Sequence, residues 1–334
     1  MLAAAAMSWL LVACGSTSGA THPAVTPRAY LDQAIGTIRR VAVYVPAGGW
    51  PAVIAHAQEM IVGVTSLGGT YPAIEYVIGQ LNNAGDEHAL FLNSFSAKLF
   101  FGSANAGRTI PPTVSLVTPR IGLIALPSIT SAPNSSDARN YERQALNRIS
   151  HLEISRRPCG WIVDLRDDPG GDDVPMLLSV GPIVGSGRVL GFRNDRGLTS
   201  YVSYRNGVLA GAGETSRSPL FISNFMPAPP VAILIGSSTI SAGEAVAIAF
   251  RGRPNTRSFG EVTSGATGSP QSYDMPDGAV IRVSVARDVD RFGNTYDLGV
   301  VPDVSISFAA GSGAVVEAAN KWLSSTAACR RTSP

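Results

Sequence analysis

Ser241 stands where the sequence passes from a buried strand to a helix. The run from Val231 to Ile235 is wholly apolar and lies between a proline and a glycine, which predicts a strand buried on both faces. Ala242 to Arg251 is rich in alanine and has no helix breaker after its glycine, so it predicts a helix. Backbone N–H groups at a helix start lack intrahelical partners and favour negative charge. A serine at this turn is therefore a candidate nucleophile for acyl transfer.

The same serine also fits a purely structural role. Ser241 and Glu244 have the spacing of a capping box, in which each side chain accepts a backbone N–H of the first helical turn. Capping serines are far more common than nucleophilic ones, so the motif alone favours the cap. Other segments of the chain are needed to choose between a nucleophile and a helix cap.

His88 is the histidine with the strongest functional context. It follows the glycine of a turn at 83–88 and precedes Ala89 to Leu92, a short apolar segment that predicts a strand. A histidine titrates near neutral pH and can serve as a general base, although an ordinary surface role is the alternative. The remaining histidines lie in a tether, in a predicted helix and after a second predicted helix: His22, His56 and His151.

Two glycines follow a second buried strand. Gly160 to Leu165 predicts that strand, and Gly170 and Gly171 lie in the turn after it. Paired glycines let a backbone approach a ligand closely, so their N–H groups are candidate oxyanion donors; a simple tight turn is the alternative. The four aspartates of Asp167 to Asp173 lack the spacing of an EF-hand, and we predict no metal site.

The elements around these residues predict an α/β protein with a helical beginning. Apolar spacing indicates helices at 30–45, 51–64 and 71–83. The glycines, threonines and three prolines of Phe100 to Pro119 indicate a linker or crossing segment. Strands then alternate with helices, which favours a layered α/β core. The further predictions are strands at 121–126, 188–193 and 199–204, and helices at 137–149 and 174–180.

Composition excludes several function classes. Charged residues make up 15% of 334 positions, apolar residues 45%, and the net charge is +2. No basic run or stacking platform indicates a nucleic-acid partner, and the composition is not that of a disordered chain. Lys98 and Lys321 are the only lysines in the sequence.

The first residues resemble a targeting segment. Leu2 to Ala13 is apolar but too short to span a bilayer, and it leads into Cys14. Leu-Val-Ala-Cys is similar to a bacterial lipobox, which implies a signal peptide over 1–14, lipidation of Cys14 and a membrane-anchored, extracytoplasmic protein. Cleavage without lipidation is the alternative. Residues 15–29 are predicted to be a flexible tether.

Cys159 and Cys329 are the other two cysteines. In an exported protein they can form a disulfide bond. Two separate buried thiols are an equally good interpretation, since sequence does not give the Cα separation that a bridge requires.

Five segments together resemble peptidase family S41, the tail-specific or C-terminal processing proteases. Asp164-Leu-Arg-Asp-Asp-Pro-Gly-Gly171 is similar to the family's Asp-Leu-Arg-x-Asn-Pro-Gly-Gly signature, and Ser238 to Glu244 to its nucleophile motif. Gly260 to Gly265 and Gly299 to Asp303 match two further landmarks. Gly85-Asp-Glu-His88 resembles the histidine-using branch that includes nisin-resistance and tricorn-like proteins. The resemblance covers about residues 30–319.

The resemblance implies a crotonase/ClpP-like core of ββα units with an N-terminal helical cap. The implied boundaries are 30–117 for the cap, 118–325 for the core and 326–334 for a tail. Asp168 stands where the family usually has asparagine, and no PDZ domain is inserted. The lysine that Ser–Lys members place after the Gly-Glu-x-Thr segment is missing from Glu261 to Pro270.

The activity that the resemblance implies is cleavage of a peptide or protein substrate without a cofactor. Ser241 would be the nucleophile and His88 its base, while the N–H of Ala242 and that of Gly170 or Gly171 would hold the oxyanion. Two acidic residues have weaker assignments: Asp297 would orient the histidine, and Glu244 would bind a substrate amine or serve only as a cap. A catalytically inactive binding lipoprotein is the competing function; a CoA-dependent hydratase is disfavoured by the export signal.

Overall fold

The computed structural model describes residues 25–104, 109–222, 225–226 and 228–330. The predicted signal peptide, Cys14 and most of the predicted tether lie outside these residues. Within the described part of the chain, no helix combines the length and the apolar character needed to cross a membrane.

Three helices form the N-terminal cap: α1 (Pro27–Val41), α2 (Trp50–Met60) and α3 (Tyr71–Asn83). Each begins with a proline in its first turn, where a missing N–H costs nothing, and Thr26 also caps α1 by accepting the N–H of Ala29. Their apolar faces share one hydrophobic cluster with Ile281 and Val283 of the core. The cap is therefore packed onto the core and has no separate interior.

A six-stranded, mostly parallel sheet forms the centre of the molecule. Its spatial order is β13 (Val304–Ser305), β10 (Thr256–Gly260), β9 (Val231–Ile235), β4 (Gly160–Asp164), β3 (Ile121–Ala125) and β2 (Thr113–Thr118). Only the β2–β3 pair is antiparallel. The strands β9 and β4 lie side by side, so the turns after their carboxyl ends, which carry Ser241 and the two glycines, meet at one edge of the sheet.

A second sheet is antiparallel and lies on the other side of this site. Its main path runs β1 (Leu90–Leu92), β12 (Val280–Val289), β5 (Gly187–Arg193), β6 (Thr199–Arg205), β7 (Val208–Gly211) and β8 (Glu214–Arg217), and β11 (Gly268–Asp274) also pairs with β12. The strand β1 follows His88 directly and pairs with β12. The sheet thus fixes the histidine-bearing segment to the core.

The helices of the core cover both faces of the parallel sheet. One face packs against α5 (Ser136–Ser155), α6 (Asp173–Val184) and α7 (Ala242–Ala249), and the other against α8 (Ser312–Ser325) and α9 (Ala327–Arg330). The burial of β9 is complete, as predicted for a strand with helices on both sides. Among the described residues, Trp161 of β4 is the largest fully buried side chain.

The predicted segments differ from the structure in four places. The segment Phe100 to Pro119 is not a linker, because α4 (Ser94–Ala104) occupies its start and β2 its end. Since β2 is a strand of the core sheet, the boundary at 117/118 falls inside it. The helix α1 begins two residues before the predicted end of the tether, and the tail contains α9.

Cys159 and Cys329 form a disulfide bond with a Cα–Cα distance of 5.0 Å. Cys159 immediately precedes β4, and Cys329 lies in α9. The bond therefore joins the end of the described chain to the strand that leads into the glycine turn.

Candidate active site

Ser241 occupies a strained turn between β9 and α7. Its φ of 53° and ψ of −112° lie in a region that side-chain-bearing residues rarely adopt. The turn is held from two sides: the N–H of Ile240 donates to the carbonyl of Asp168 at 3.0 Å, and that of Gly243 to the carbonyl of Ile240 at 3.0 Å. Ser241 is only partly buried. A strained, accessible serine at a helix start is the geometry of a nucleophile elbow.

Glu244 is fully buried behind this turn and accepts four hydrogen bonds. Its donors are the N–H of Ser241 at 3.0 Å, Thr263 Oγ1 at 2.5 Å, Ser264 Oγ at 3.0 Å and the N–H of Gly265 at 2.8 Å. Both carboxylate oxygens are thereby engaged. Glu244 ties the helix start to the 263–265 loop and has no oxygen left for a substrate amine.

Of the two glycines, Gly170 lies directly against Ser241 and Gly171 against the backbone of Ile129. A Cβ on Gly170, whose φ is +103°, would come within 2.9 Å of the Ser241 Cβ. A Cβ on Gly171, whose φ is +127°, would lie 2.1 Å from the carbonyl oxygen of Ile129. Glycine is therefore required at both positions for the turn to reach Ser241.

Only one of the two glycine N–H groups is available as an oxyanion donor. The N–H of Gly170 already donates to Asp168 Oδ1 at 3.0 Å. The N–H groups of Gly171 and Ala242 donate to no acceptor among the described residues. The geometry thus favours Gly171 and Ala242 as the pair of donors.

Asp168 is a buried carboxyl beneath the glycine turn. Burial raises its pKa to about 7, although the hydrogen bond from the Gly170 N–H acts in the opposite direction. Its Oδ2 atom is buried and, within the described residues, has no hydrogen-bond partner. A protonated carboxyl, like an asparagine, offers the Gly170 N–H an uncharged acceptor.

His88 lies on a loop anchored by Asp86. The fully buried Asp86 accepts the N–H of His88 at 3.2 Å and both the N–H and the hydroxyl of Ser284, at 2.9 and 2.7 Å. Asp86 escaped sequence analysis as a site residue, although it belongs to the Gly85–His88 segment. It fixes the histidine loop to β12.

The imidazole of His88 contacts the loop that Glu244 holds. Its Nε2 atom lies 3.2 Å from the carbonyl oxygen of Ala266, and because a carbonyl only accepts, Nε2 is the donor and Nδ1 the basic nitrogen. Burial lowers the pKa of His88, so the ring is neutral at neutral pH. Among the described residues, His88 and Ser241 form no hydrogen bond with each other; a chain of hydrogen bonds through Ala266, Ser264 and Glu244 connects them.

Asp297 does not contact the histidine. Its Oδ1 atom accepts the hydroxyl of Tyr44 at 3.3 Å and lies 3.3 Å from the guanidinium of Arg287. Its position thus supports a role in attaching the cap, where Tyr44 is buried, more than a role in orienting His88. Neither lysine belongs to the site, since Lys98 lies in α4 and Lys321 in α8.

A cavity of about 690 Å³ opens beside the serine. Ser241, Ala242 and Gly171 line it, so the candidate nucleophile and the residues of both candidate oxyanion donors border the same space. The volume is within the range of ligand-binding pockets. In the described part of the chain, no cluster of His, Cys, Asp and Glu side chains has the arrangement of a metal site.

Sequence comparison finds a matching family profile and two related proteins. The profile of peptidase family S41 matches residues 120–306. The nisin-resistance protein of Lactococcus lactis subsp. lactis is 27% identical over 205 residues, which are 61% of this chain and 60% of that protein. The chloroplastic carboxyl-terminal-processing peptidase 2 of Arabidopsis thaliana is 26% identical over 187 residues, 54% of this chain and 32% of that one. The chain thus aligns with less than two thirds of each relative.

Solved structures share the fold. A lipoprotein from Streptococcus agalactiae superposes with a TM-score of 0.69 at 19% identity, over 90% of this chain and 96% of its own. The photosystem II D1 C-terminal processing protease gives a TM-score of 0.58 at 16% identity, over 84% and 92% of the two chains. The predicted fold class, an α/β core with an N-terminal helical region, is confirmed.

Proposed function

Because the chain belongs to peptidase family S41, we propose that it is a serine endopeptidase in which Ser241 is the nucleophile and His88 the general base. One observation carries the proposal. The strained Ser241 lies against the glycine turn, with the uncommitted N–H groups of Ala242 and Gly171 on the same cavity. A helix cap alone would require neither the strain nor the open donors.

The reaction would proceed through an acyl-enzyme. Ser241 Oγ attacks the peptide carbonyl carbon while His88 Nδ1 takes the hydroxyl proton, and the resulting oxyanion accepts hydrogen bonds from Ala242 and Gly171. His88 then donates the proton to the leaving amine, and the C–N bond breaks. Water, deprotonated by the same histidine, hydrolyses the ester and restores Ser241.

The position of His88 sets one condition on this mechanism. In the structure its ring is held on the Ala266 carbonyl rather than on Ser241. Catalytic hydrogen bonds are often long before substrate binds, so the proposal expects the ring and Ser241 to approach when the cavity fills. The acidic groups Asp86 and Glu244 nearby favour the imidazolium that forms.

Peptide cleavage by single variants tests the dyad. Ser241→Ala and His88→Ala should each lower kcat by a similar factor, on the order of 10³ or more, because members of such a unit are not additive. Lys98→Ala should leave kcat unchanged. Normal turnover by His88→Ala would give the role of base to another group. A wild-type protein that binds peptides without cleaving them would support the inactive binding protein instead.

The proposed location is the outer face of the cytoplasmic membrane, with Cys14 lipidated. The similarity to a lipoprotein and to a nisin-resistance protein supports a place in the cell envelope. A single acyl chain binds membranes only marginally, so two or three chains are expected on Cys14. Intact-mass measurement of detergent-extracted protein checks this, and an unmodified Cys14 would refute it.

A further inference from the structure

The cavity beside Ser241 has apolar walls and an acidic interior. Leucine, valine and phenylalanine side chains from α6, β5, β6 and β7 form the walls: Leu177, Leu190, Phe192, Val202 and Leu209. Three acidic residues line the same space, namely Asp173 at the start of α6, Glu214 at the start of β8 and Asp288 near the end of β12. A fourth, Asp172, is balanced by Arg282, which also lines the cavity.

Asp288 is the most informative of these residues. It is 5% exposed, and its Oδ1 atom accepts the hydroxyl of Ser269 at 2.6 Å. Its Oδ2 atom has no hydrogen-bond partner among the described residues. This atom also keeps some accessible surface, which opens to the cavity that Asp288 lines. Because the side chain is only 5% exposed, Oδ2 reaches little water, so a ligand that donates to it would be favoured.

The neighbouring acids make a positive charge the matching partner. The pKa of Asp288 is raised to about 8, mainly by burial; the nearby Asp173 and Glu244 act in the same direction, and the hydrogen bond from Ser269 acts against them. Burial, with Asp172 next, raises the pKa of Asp173 to about 6. A bound cation would offset the cost of ionising these buried carboxyls and their mutual repulsion.

We propose that this cavity is the subsite for a lysine or arginine side chain next to the scissile bond. The long aliphatic stem of either residue would lie along Phe192 and Val202, which line the cavity and are only partly buried, and its head group would donate to Asp288 Oδ2. Both features of the cavity, apolar walls and an open carboxylate, are then used by one side chain. The inference rests on the proposed peptidase function of Ser241.

Two classes of neighbouring residue are less compatible with the cavity. An acidic side chain would meet three carboxyl groups there. A purely apolar side chain would match the walls but leave Asp288 Oδ2 without a donor, which a polar site penalises strongly. Asp288 thus discriminates between substrates as well as attracting one.

Paired peptides test the subsite. Two quenched peptides that differ only in lysine or norleucine beside the cleaved bond are compared, with the bond located by mass spectrometry. Wild type should cleave the lysine peptide with the higher kcat/KM. Asp288→Asn, which keeps an acceptor for Ser269, should lower the lysine-to-norleucine ratio roughly ten- to hundredfold. Glu214→Gln at the exposed edge should lower it less, and Glu59→Gln on α2 not at all.

The ratio separates selectivity from structural damage, which would reduce both activities equally. An unchanged ratio in a folded Asp288→Asn protein would overturn the subsite. If wild type prefers norleucine, the subsite is also wrong, although cleavage that Ser241→Ala abolishes would still support the peptidase. If wild type cleaves neither peptide, binding of both to the protein decides: tighter binding of the lysine peptide that Asp288→Asn abolishes supports the subsite, and equal binding refutes it.

Discussion

Asp168 is expected to make the free energy of unfolding depend on pH. Its folded-state pKa of about 7 exceeds the ordinary value of 3.8 because the carboxyl is buried. Between these two values the folded protein keeps a proton that the unfolded chain releases, so the free energy of unfolding falls as pH rises from about 4 to 7. Above about pH 7 Asp168 is ionised in both states and lowers the free energy of unfolding no further.

Asp168→Asn should remove this dependence. The amide oxygen can still accept the Gly170 N–H, while the group no longer ionises. We expect wild type and variant to be about equally stable at pH 4, and the variant to be more stable at pH 8 by a few kcal/mol at most, since one pKa unit corresponds to about 1.4 kcal/mol. Urea unfolding at both pH values measures the difference. Parallel pH profiles would show that Asp168 does not titrate in this range; the exposed Asp274→Asn is the control.

Glu244 is expected to be structurally indispensable. Replacing it with glutamine puts an amide NH₂ against the donors of Ser241, Thr263, Ser264 and Gly265, so at least one buried donor loses its acceptor. We expect Glu244→Gln to lower the free energy of unfolding by about 2–3 kcal/mol and to reduce kcat. Thermal and urea unfolding check this against Glu75→Gln on the exposed side of α3. Unaltered stability would mean that the four acceptor contacts are dispensable.

Sequence analysis predicted the site residues that belong to motifs, but it did not predict the hydrogen bonds that those residues form in the folded protein. Ser241, Gly171 and Ala242 meet because their turns follow neighbouring parallel strands, which strand prediction anticipates. The engagement of the Gly170 N–H by Asp168 depends on a rotamer and could not be predicted. The approach of His88 to Ser241 stays a prediction.

Among the elements, the disulfide between the start of β4 and α9 makes the clearest prediction. It closes a loop with a sequence separation of 170 residues. The chain-entropy model gives about 4–5 kcal/mol for such a loop, with less in practice. The double variant Cys159→Ala, Cys329→Ala should therefore unfold at lower urea concentration than wild type, and reductant should destabilise wild type only. Free thiols at both positions in non-reducing peptide maps would contradict the pairing.

The elements missed by sequence analysis lack strong periodicity. The helix α4 leaves Phe95, Leu99, Phe100 and Phe101 exposed, so no apolar stripe marks it. The strand β2 lies at the edge of its sheet, where among the described residues it pairs only with β3, and each of its residues is exposed or partly buried. Its identity as a strand comes from that pairing, which local sequence does not report.

For the molecule as a whole, the attachment of the cap determines where His88 lies. The family profile begins at residue 120, so the cap and the histidine lie outside the matched region. Asp277, in the turn between β11 and β12, accepts the hydroxyl of Tyr30 from α1 at 2.7 Å and that of Tyr71 from α3 at 2.5 Å. One carboxylate thus joins two cap helices to the hairpin of the core.

Asp277→Ala should loosen the cap without unfolding the core. Burial acts to raise the pKa of Asp277, but the hydrogen bonds from Tyr71, Tyr30 and Ala279 outweigh it and lower the pKa. The stabilisation is therefore present near neutral pH and is lost as pH falls through that lowered pKa. We expect a loss of about 1–2 kcal/mol at pH 7 for this partly exposed group, and little difference from wild type in strong acid.

The location of the effect distinguishes cap attachment from general destabilisation. Amide hydrogen exchange should accelerate in α1 and α3 of Asp277→Ala while α5 and α7 keep their protection, because only the first pair contacts the lost carboxylate. Since His88 follows α3 by five residues, kcat/KM should fall as well. Asp274→Ala, an exposed position on the same hairpin, should change neither measurement. Unchanged exchange in α1 and α3 would show that apolar packing alone holds the cap on the core.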